Sequence, residues 1–283
     1  MQEVLRGIRS ELQQQRQQQR QQQQQQQQYL EVFRLAATRE VFQEVGQFTA
    51  ARQLSFERTL ERITDERLSF ARFGDGELRI MLHPEFVLRF QRWSPGLAGD
   101  LRSVLTLDGF DPERLLLGFP FPYRSLYWSD VWLDIWPELK PLLGTSVEYG
   151  NTHVSRPIFF QQLGQRGVQL WRKVWEGQDA CVVTGEGSRF WLAPELFDNL
   201  GSTRYVHSTP VDAYDDLPRL MEVLAAEDPN QLYLVALGPA GTLVTAWLAR
   251  MGRWAIDVGH ISNSWANVFA GAKRPEALEL RRS

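Results

Sequence analysis

The sequence predicts an α/β fold: a Rossmann-like, mostly parallel sheet with helices on both faces, preceded by a glutamine-rich arm that is helical or disordered. Three observations predict it. In the last hundred residues, short and nearly continuous apolar runs alternate with helix-like stretches, as in parallel strands buried on both faces. Those runs end at glycine, which lets the chain turn sharply at a strand's end. Residues 13–28 are glutamine interrupted only by Arg16 and Arg20, a composition that cannot bury a core.

Taken in order, the arm comes first. Leu5, Ile8 and Leu12 before the tract, then Leu30, Phe33, Ala37 and Val41 after it, keep a three-and-four spacing. That spacing predicts helix on both sides and offers a route to self-association, although a tethering arm without chemistry is the preferred reading. The division expected is an arm over residues 1–50 and one globular domain over residues 51–283. Residues 56–66 read as an amphipathic helix and 68–73 as a short strand ending at Gly74-Asp75-Gly76. Residues 115–119 are a second apolar strand, followed by Pro120 and Pro122. The aromatic stretch 123–136 is a helix or a binding loop. Strands are then expected over 179–184, 204–207, 232–237 and 254–258, with helices over 211–226 and 242–251.

Composition narrows the function. With 34 acidic against 31 basic side chains the net charge is −3, so no global field attracts nucleic acid or an anionic membrane. The one cysteine, Cys181, falls in a strand-like run, which excludes a disulfide scaffold or a cysteine zinc site and favours a cytoplasmic location. No run reaches the 18 or so apolar residues of a membrane span, and no apolar signal core precedes the glutamines. Ten tryptophans and 16 phenylalanines point to a thick core more than to an aromatic-lined cleft.

Chemistry is expected where ligands bind in such sheets, at the carboxyl ends of the strands. Four ends carry glycine with a charged or hydroxyl residue: Arg72-Phe-Gly-Asp-Gly-Glu77, Gly185-Glu-Gly-Ser-Arg189, Gly238-Pro-Ala-Gly-Thr242 and Asp257-Val-Gly-His260. Glycine there admits close backbone approach, and helix-start amides hold phosphate. Asp75 and Glu77 stand two residues apart, a spacing at which both can reach one hard cation, or one can hold metal while the other binds sugar hydroxyls. As an isolated turn the same three residues would more often be a surface feature, but the preceding apolar strand and Arg72, a phosphate partner, weigh against that. A nicotinamide fingerprint is poorly supported: Phe190 stands where the third glycine is needed, and residues 205–208 lack the ribose-binding acid. Ser188, Arg189 and the Gly187 amide remain as phosphate or sugar contacts. Asp257 is a ligand contact or a strand-end cap, His260 a structural or a catalytic residue, and Arg156 a phosphate contact or a plain surface arginine. Neither a Gly-x-Ser-x-Gly elbow nor a Walker-type loop is present.

Ser69-Phe-Ala-Arg-Phe-Gly-Asp-Gly-Glu77, Thr152-x-x-Ser-Arg156, Gly185-Glu-Gly-Ser-Arg189 with Glu195-Leu-Phe-Asp-Asn199, Leu237-Gly-Pro239 and Ala255-Ile-Asp-Val-Gly-His260 together resemble the GT-D-type glycosyltransferases, long catalogued as a bacterial domain of unknown function. The resemblance covers residues 56–269. It implies transfer of a sugar from a nucleotide-diphosphate donor, a UDP-sugar first, to a glycan, glycoprotein or glycolipid. It also implies a divalent metal, Mn2+ or Mg2+, at Asp75 and Glu77. Arg72, Gly74, Arg156, Gly185, Gly187, Ser188, Arg189, Gly238, Pro239 and Asp257 are the expected donor contacts. Glu186 and His260 are the candidates for a general base. The sequence departs from the family where acids would follow Gly-His, because Ile261-Ser-Asn-Ser-Trp265 has none. A non-catalytic nucleotide-sugar or glycan-binding module is therefore the alternative, and a nucleotide-dependent oxidoreductase a weaker one.

Overall fold

The computed structural model describes residues 2–106, 111–123, 125–144 and 146–278, with side chains except those of 2–10 and 35. Two compact units result, Met1–Gln47 with Pro122–Trp136, and Phe48–Phe121 with Pro137–Ser283. In the first unit the glutamine tract lies within one helix, α1 (Gln2–Ala37), continued by α2 (Arg39–Arg52). Leu5 and Ile8 have side chains outside the described ones, whereas Tyr29, Leu30, Val32 and Phe33 are exposed. No helix among the described residues is long and apolar enough to cross a membrane.

The second unit is organised by seven parallel strands: β1 (Ser69–Arg72), β2 (Leu115–Phe119), β3 (Gly150–Asn151), β4 (Ala180–Gly185), β5 (Thr203–Ser208), β6 (Leu232–Ala236) and β7 (Ala255–Asp257). Their order across the sheet is β3-β2-β1-β7-β6-β4-β5. Helix α3 (Phe56–Asp65) precedes β1, while α4 (Asp75–Leu82) and α5 (Pro95–Leu105) follow it. In chain order α6 (Leu126–Leu139), most of which belongs to the first unit, is followed in the second by α7 (Pro157–Leu163), α8 (Gln165–Val174) and α9 (Pro194–Phe197). The last three are α10 (Leu217–Ala225), α11 (Pro239–Arg250) and α12 (Ile261–Phe269). The apolar runs read as strands are strands, and the aromatic stretch is α6.

Local chemistry starts the helices. Ser55 accepts from the Arg58 amide at 3.1 Å to begin α3, and Ser94 accepts from Leu97 at 3.1 Å to begin α5. In α3 the buried Phe56, Leu60 and Ile63 recur at helical spacing and turn toward the sheet. There they meet Phe70, Leu116, Leu234 and Ile256 from the strands, with Phe159 and Phe160 of α7, Trp171 of α8 and Trp175 just after it. Trp171 stacks on Trp175 at 5.1 Å, and Trp175 on Phe197 at 4.6 Å. Their indole N–H groups donate to the Val154 and Leu196 carbonyls. These tryptophans are core residues, each worth roughly 3–5 kcal/mol against alanine. On the opposite face α11 packs along β1 and β7, flanked by α5 and α10.

Register sets the strand ends level. Thr184 pairs with Ala236, Gly185 with Ser208, Val235 with Asp257, and Phe70 with Ile256. After β4 the chain leads outward to β5, and after β6 it leads inward to β7, so a crevice opens between the β4 and β6 ends.

Candidate active site

A cleft occupies that crevice. It is lined from β1 by Arg72 and Glu77, from β4 by Gly185, Ser188 and Arg189, and from β6 by Gly238. From β7 come Gly259 and His260, with Asn263 one turn into α12. Phe90, Thr209 and Pro210 add to the wall, and the sequence marks none of the three as a site residue. Phe90 belongs to the irregular stretch after α4 and carries no motif. Thr209 and Pro210 follow β5, whose end shows no charged residue or glycine.

Arg72 is the pivot of the site. It ends β1 and is nine-tenths buried. Its Nε lies 3.3 Å from Asp257 Oδ1, and its Nη1 donates to Ser155 Oγ at 2.6 Å and toward the Thr152 carbonyl at 3.4 Å. The Thr242 hydroxyl donates to the Arg72 carbonyl at 2.9 Å, tying β1 to α11. Asp257 also accepts the Gly259 amide at 3.0 Å, so it is at once the strand-end cap and the arginine's counter-ion. Gly259 has φ +48°, and a Cβ there would fall inside the Arg72 guanidinium. Only glycine lets the two strand ends approach this closely.

Asp75 and Glu77 stand in the first turn of α4, where carboxylates are favoured by the helix dipole. Gly74 is the N-cap of that helix, and the Gly74 amide donates to Glu77 Oε2 at 3.0 Å. Glu77 thus caps its own helix and also faces the cleft, whereas Asp75 is half-buried beside it and outside the lining. Desolvation pushes the Glu77 carboxyl above the usual range; Arg72 pulls it down, and the charges of Asp257 and Asp75 push it up again. Asp257 is raised for the same first reason, with Arg72 opposing. A cation would relieve this crowding of carboxylates. Among the described residues no group of three or more His, Cys, Asp or Glu side chains could hold a metal by itself. Asp75 and Glu77 are the two carboxylates that the head of α4 brings to this end of the sheet, and one oxygen of Glu77 already accepts the Gly74 amide.

Three helices start at the cleft and bring their positive ends to it. Glu77 stands in the first turn of α4, Gly238 is the N-cap of α11 with Pro239 at its first turn, and His260 is the N-cap of α12. Gly238 has φ +57°, and a Cβ on it would lie 2.5 Å from the Phe90 ring. On the β4 side a Cβ at Gly185 would lie 2.7 Å from Pro210 Cα, so glycine lets the β4 and β5 ends close together. The Ser188 hydroxyl is 2.7 Å from that of Thr184. Glu186 and Gly187 lie exposed on the turn, outside the lining.

Positive charge surrounds His260. Desolvation, then Arg156, Arg72 and Arg189, hold its imidazole well below the ordinary histidine range, so it is neutral at physiological pH. Arg156 pairs with Glu276. Arg189 donates to the carbonyls of Leu278, at 2.9 Å, and Pro275, at 3.3 Å. The site therefore offers arginine cations and helix starts beside the carboxylate of Glu77, an arrangement suited to a polyanionic ligand.

The model of the family described as "Glycosyltransferase GT-D fold" matches residues 70–282. The chain is 26% identical over 227 residues to "Glycosyltransferase GlyD" of Streptococcus pneumoniae serotype 4, covering 77% of the chain and 28% of that protein. It is 25% identical over 228 residues to "Probable glycosyl transferase Gly" of Streptococcus gordonii, covering 77% and 33%. The chain thus spans about a third of the length of these curated relatives. A solved domain reported as having "a distinct glycosyltransferase fold" superposes with a TM-score of 0.74 at 23% identity, covering 86% of this chain and 95% of that one. "A New Glycosyltransferase (DUF1792) from Streptococcus sanguinis" superposes with a TM-score of 0.71 at 25% identity, covering 78% and 85%.

Proposed function

The chain belongs to the glycosyltransferases of the GT-D fold, and on that premise we propose that it moves a sugar from a nucleotide-diphosphate donor, a UDP-sugar first, to a glycan, glycoprotein or glycolipid. The observation that carries the reading is the cleft itself, where Arg72, Arg189 and the starts of α11 and α12 meet Glu77 of α4, with Asp75 beside it in the same helical turn.

Transfer leaves negative charge on the departing nucleoside diphosphate, and fixed cations stabilise it without reorganising as the bond breaks. Arg72 meets that requirement because Asp257, Ser155 and Gly259 leave it a single position. Arg189 and the α11 start at Gly238 supply further donors from the opposite wall. Asp75 and Glu77 would hold Mn2+ or Mg2+, which when bound neutralises the diphosphate. His260 lines the cleft as a neutral imidazole. Its depressed proton affinity suits a hydrogen bond to the sugar or phosphate better than proton abstraction. Glu186, exposed on the β4 turn, would reach an acceptor arriving over that rim. Tyr29, Leu30, Val32 and Phe33, exposed on α1, support self-association as a separate role of the arm.

The test is release of nucleotide from a panel of UDP- and GDP-sugars with Mn2+, in the parent chain and in Asp75→Asn. Metal-dependent release from the parent, lost in a variant with an unchanged circular dichroism spectrum, is expected. Release that persists in Asp75→Asn would remove the carboxylates from the mechanism. One observation favours the binding-module alternative: Asn263 lines the cleft within a run that carries no acid. Tight donor binding with no turnover on any acceptor would select it.

A further inference from the structure

Three arginines from separate parts of the chain converge on four consecutive residues. Arg156, the N-cap of α7, pairs with the Glu276 carboxylate. Arg89, from the stretch after α4, donates to the Glu276 carbonyl at 2.8 Å. Arg189, after β4, donates to the carbonyls of Pro275 and Leu278. We propose that residues 275–278 are an intramolecular occupant of the donor's anion site, holding Arg89, Arg156 and Arg189 until a diphosphate displaces them.

The inference rests on the donor reading of the cleft and adds a competitor to it. Arg189 lines the cleft, and both Arg189 and Arg156 act on His260, which lines it too. A guanidinium fork donates to carboxylate and phosphate oxygens with the same geometry, so the Glu276 carboxylate and a phosphate compete for one partner. The strap is weakly anchored. Of residues 275–277 only Pro275 is buried, and residues 271–274 leading into it are exposed. The Glu276 side chain is 56% exposed, so its ion pair is water-screened and worth little. A diphosphate carries more charge and more acceptor oxygens than the single carboxylate it replaces. Arg89 thereby becomes a ligand contact that no strand-end motif contains.

The experiment measures binding of UDP with Mn2+, and of inorganic pyrophosphate, to the full chain and to Glu276→Gln and Glu276→Ala. Glu276 is exposed, so both variants are expected to fold as the parent does. Removing the strap's one carboxylate contact, with its carbonyl contacts left in place, should tighten binding by about threefold to fivefold, the scale of an exposed ion pair. In parallel, hydrogen exchange over residues 271–278 of the parent should rise when UDP binds. Unchanged or weaker binding in both variants, or protection of residues 271–278 by UDP, would overturn the strap while leaving the donor reading intact. Absence of UDP binding to any of the three proteins would instead remove the donor reading, and the strap with it.

Discussion

On the β1–β7 wall of the cleft, Arg72 is wedged between Asp257, Ser155 and the backbone of Gly259. On the β4 wall, Arg189 is held by two carbonyls of a half-exposed segment, and its neighbours Glu186 and Gly187 lie in solvent. Both walls carry an arginine beside glycines at a parallel strand end, yet they do different work. The first fixes a charge in place before any ligand arrives, as a constant part of the ligand such as a diphosphate requires. The second can adjust, which suits the parts of a ligand that vary, and it is where the strap competes.

That contrast can be broken most directly at Arg72. Arg72→Ala would leave Asp257 buried without its counter-charge, and removing one partner of a buried pair costs roughly 3–5 kcal/mol. Denaturant melts should show that loss, and calorimetry the loss of UDP binding. Near-parental stability would mean that the β1 wall is no more rigid than the other. Gly259→Ala should come next. It places a Cβ against a guanidinium that cannot retreat and strains a positive φ, at roughly 1–3 kcal/mol, and weakens UDP binding at least about tenfold.

Acid sharpens the contrast through His153, which neighbours the Thr152 carbonyl that Arg72 approaches. Burial first, then Arg156 and Arg72, lower the His153 imidazole from the ordinary 6.5 to about 3. The unfolded chain therefore binds a proton that the folded chain refuses. The neutral form's contribution is complete above pH 6.5 and is lost as pH falls toward 3, by about 1.4 kcal/mol per unit. Melts between pH 7 and 4.5 should show a slope that His153→Gln reduces, with His260, lowered for the same reasons, supplying part of the remainder; an unchanged slope would remove His153 as a source. The smallest effect is expected at Gly187→Ala. Its φ is +62° but nothing lies within 4 Å of a Cβ there, so only the backbone term of about 1 kcal/mol applies. A cost equal to that of Gly259→Ala would erase the difference between the walls.

Much of this organisation was legible because strand ends that touch a ligand or each other demand glycine, and glycine is visible in a sequence. The apolar runs of β2, β4, β6 and β7 were equally plain. β3 has two residues, too few to show a period, and it was not expected. Helix α10 starts at Leu217, later than 211, because Asp212 takes a positive φ and its carboxylate binds the Arg92 amide and guanidinium. Helix α11 starts at Pro239, earlier than 242, since proline is well suited to a first turn. The pairings inside the site were out of reach. Arg72 with Asp257, Phe90 over Gly238, and Arg156 with Glu276 join segments far apart in the chain, and composition carries no trace of them.

The proposed donor site sets a diphosphate between Arg72 and Arg189, with a metal at Asp75 and Glu77. A crystal structure of the chain grown with UDP and Mn2+ tests it most directly. Diphosphate density is expected within hydrogen-bond reach of both guanidinium groups, with an anomalous manganese peak bound by a carboxylate of α4. Nucleotide bound elsewhere, or a manganese ion on other side chains, would contradict it.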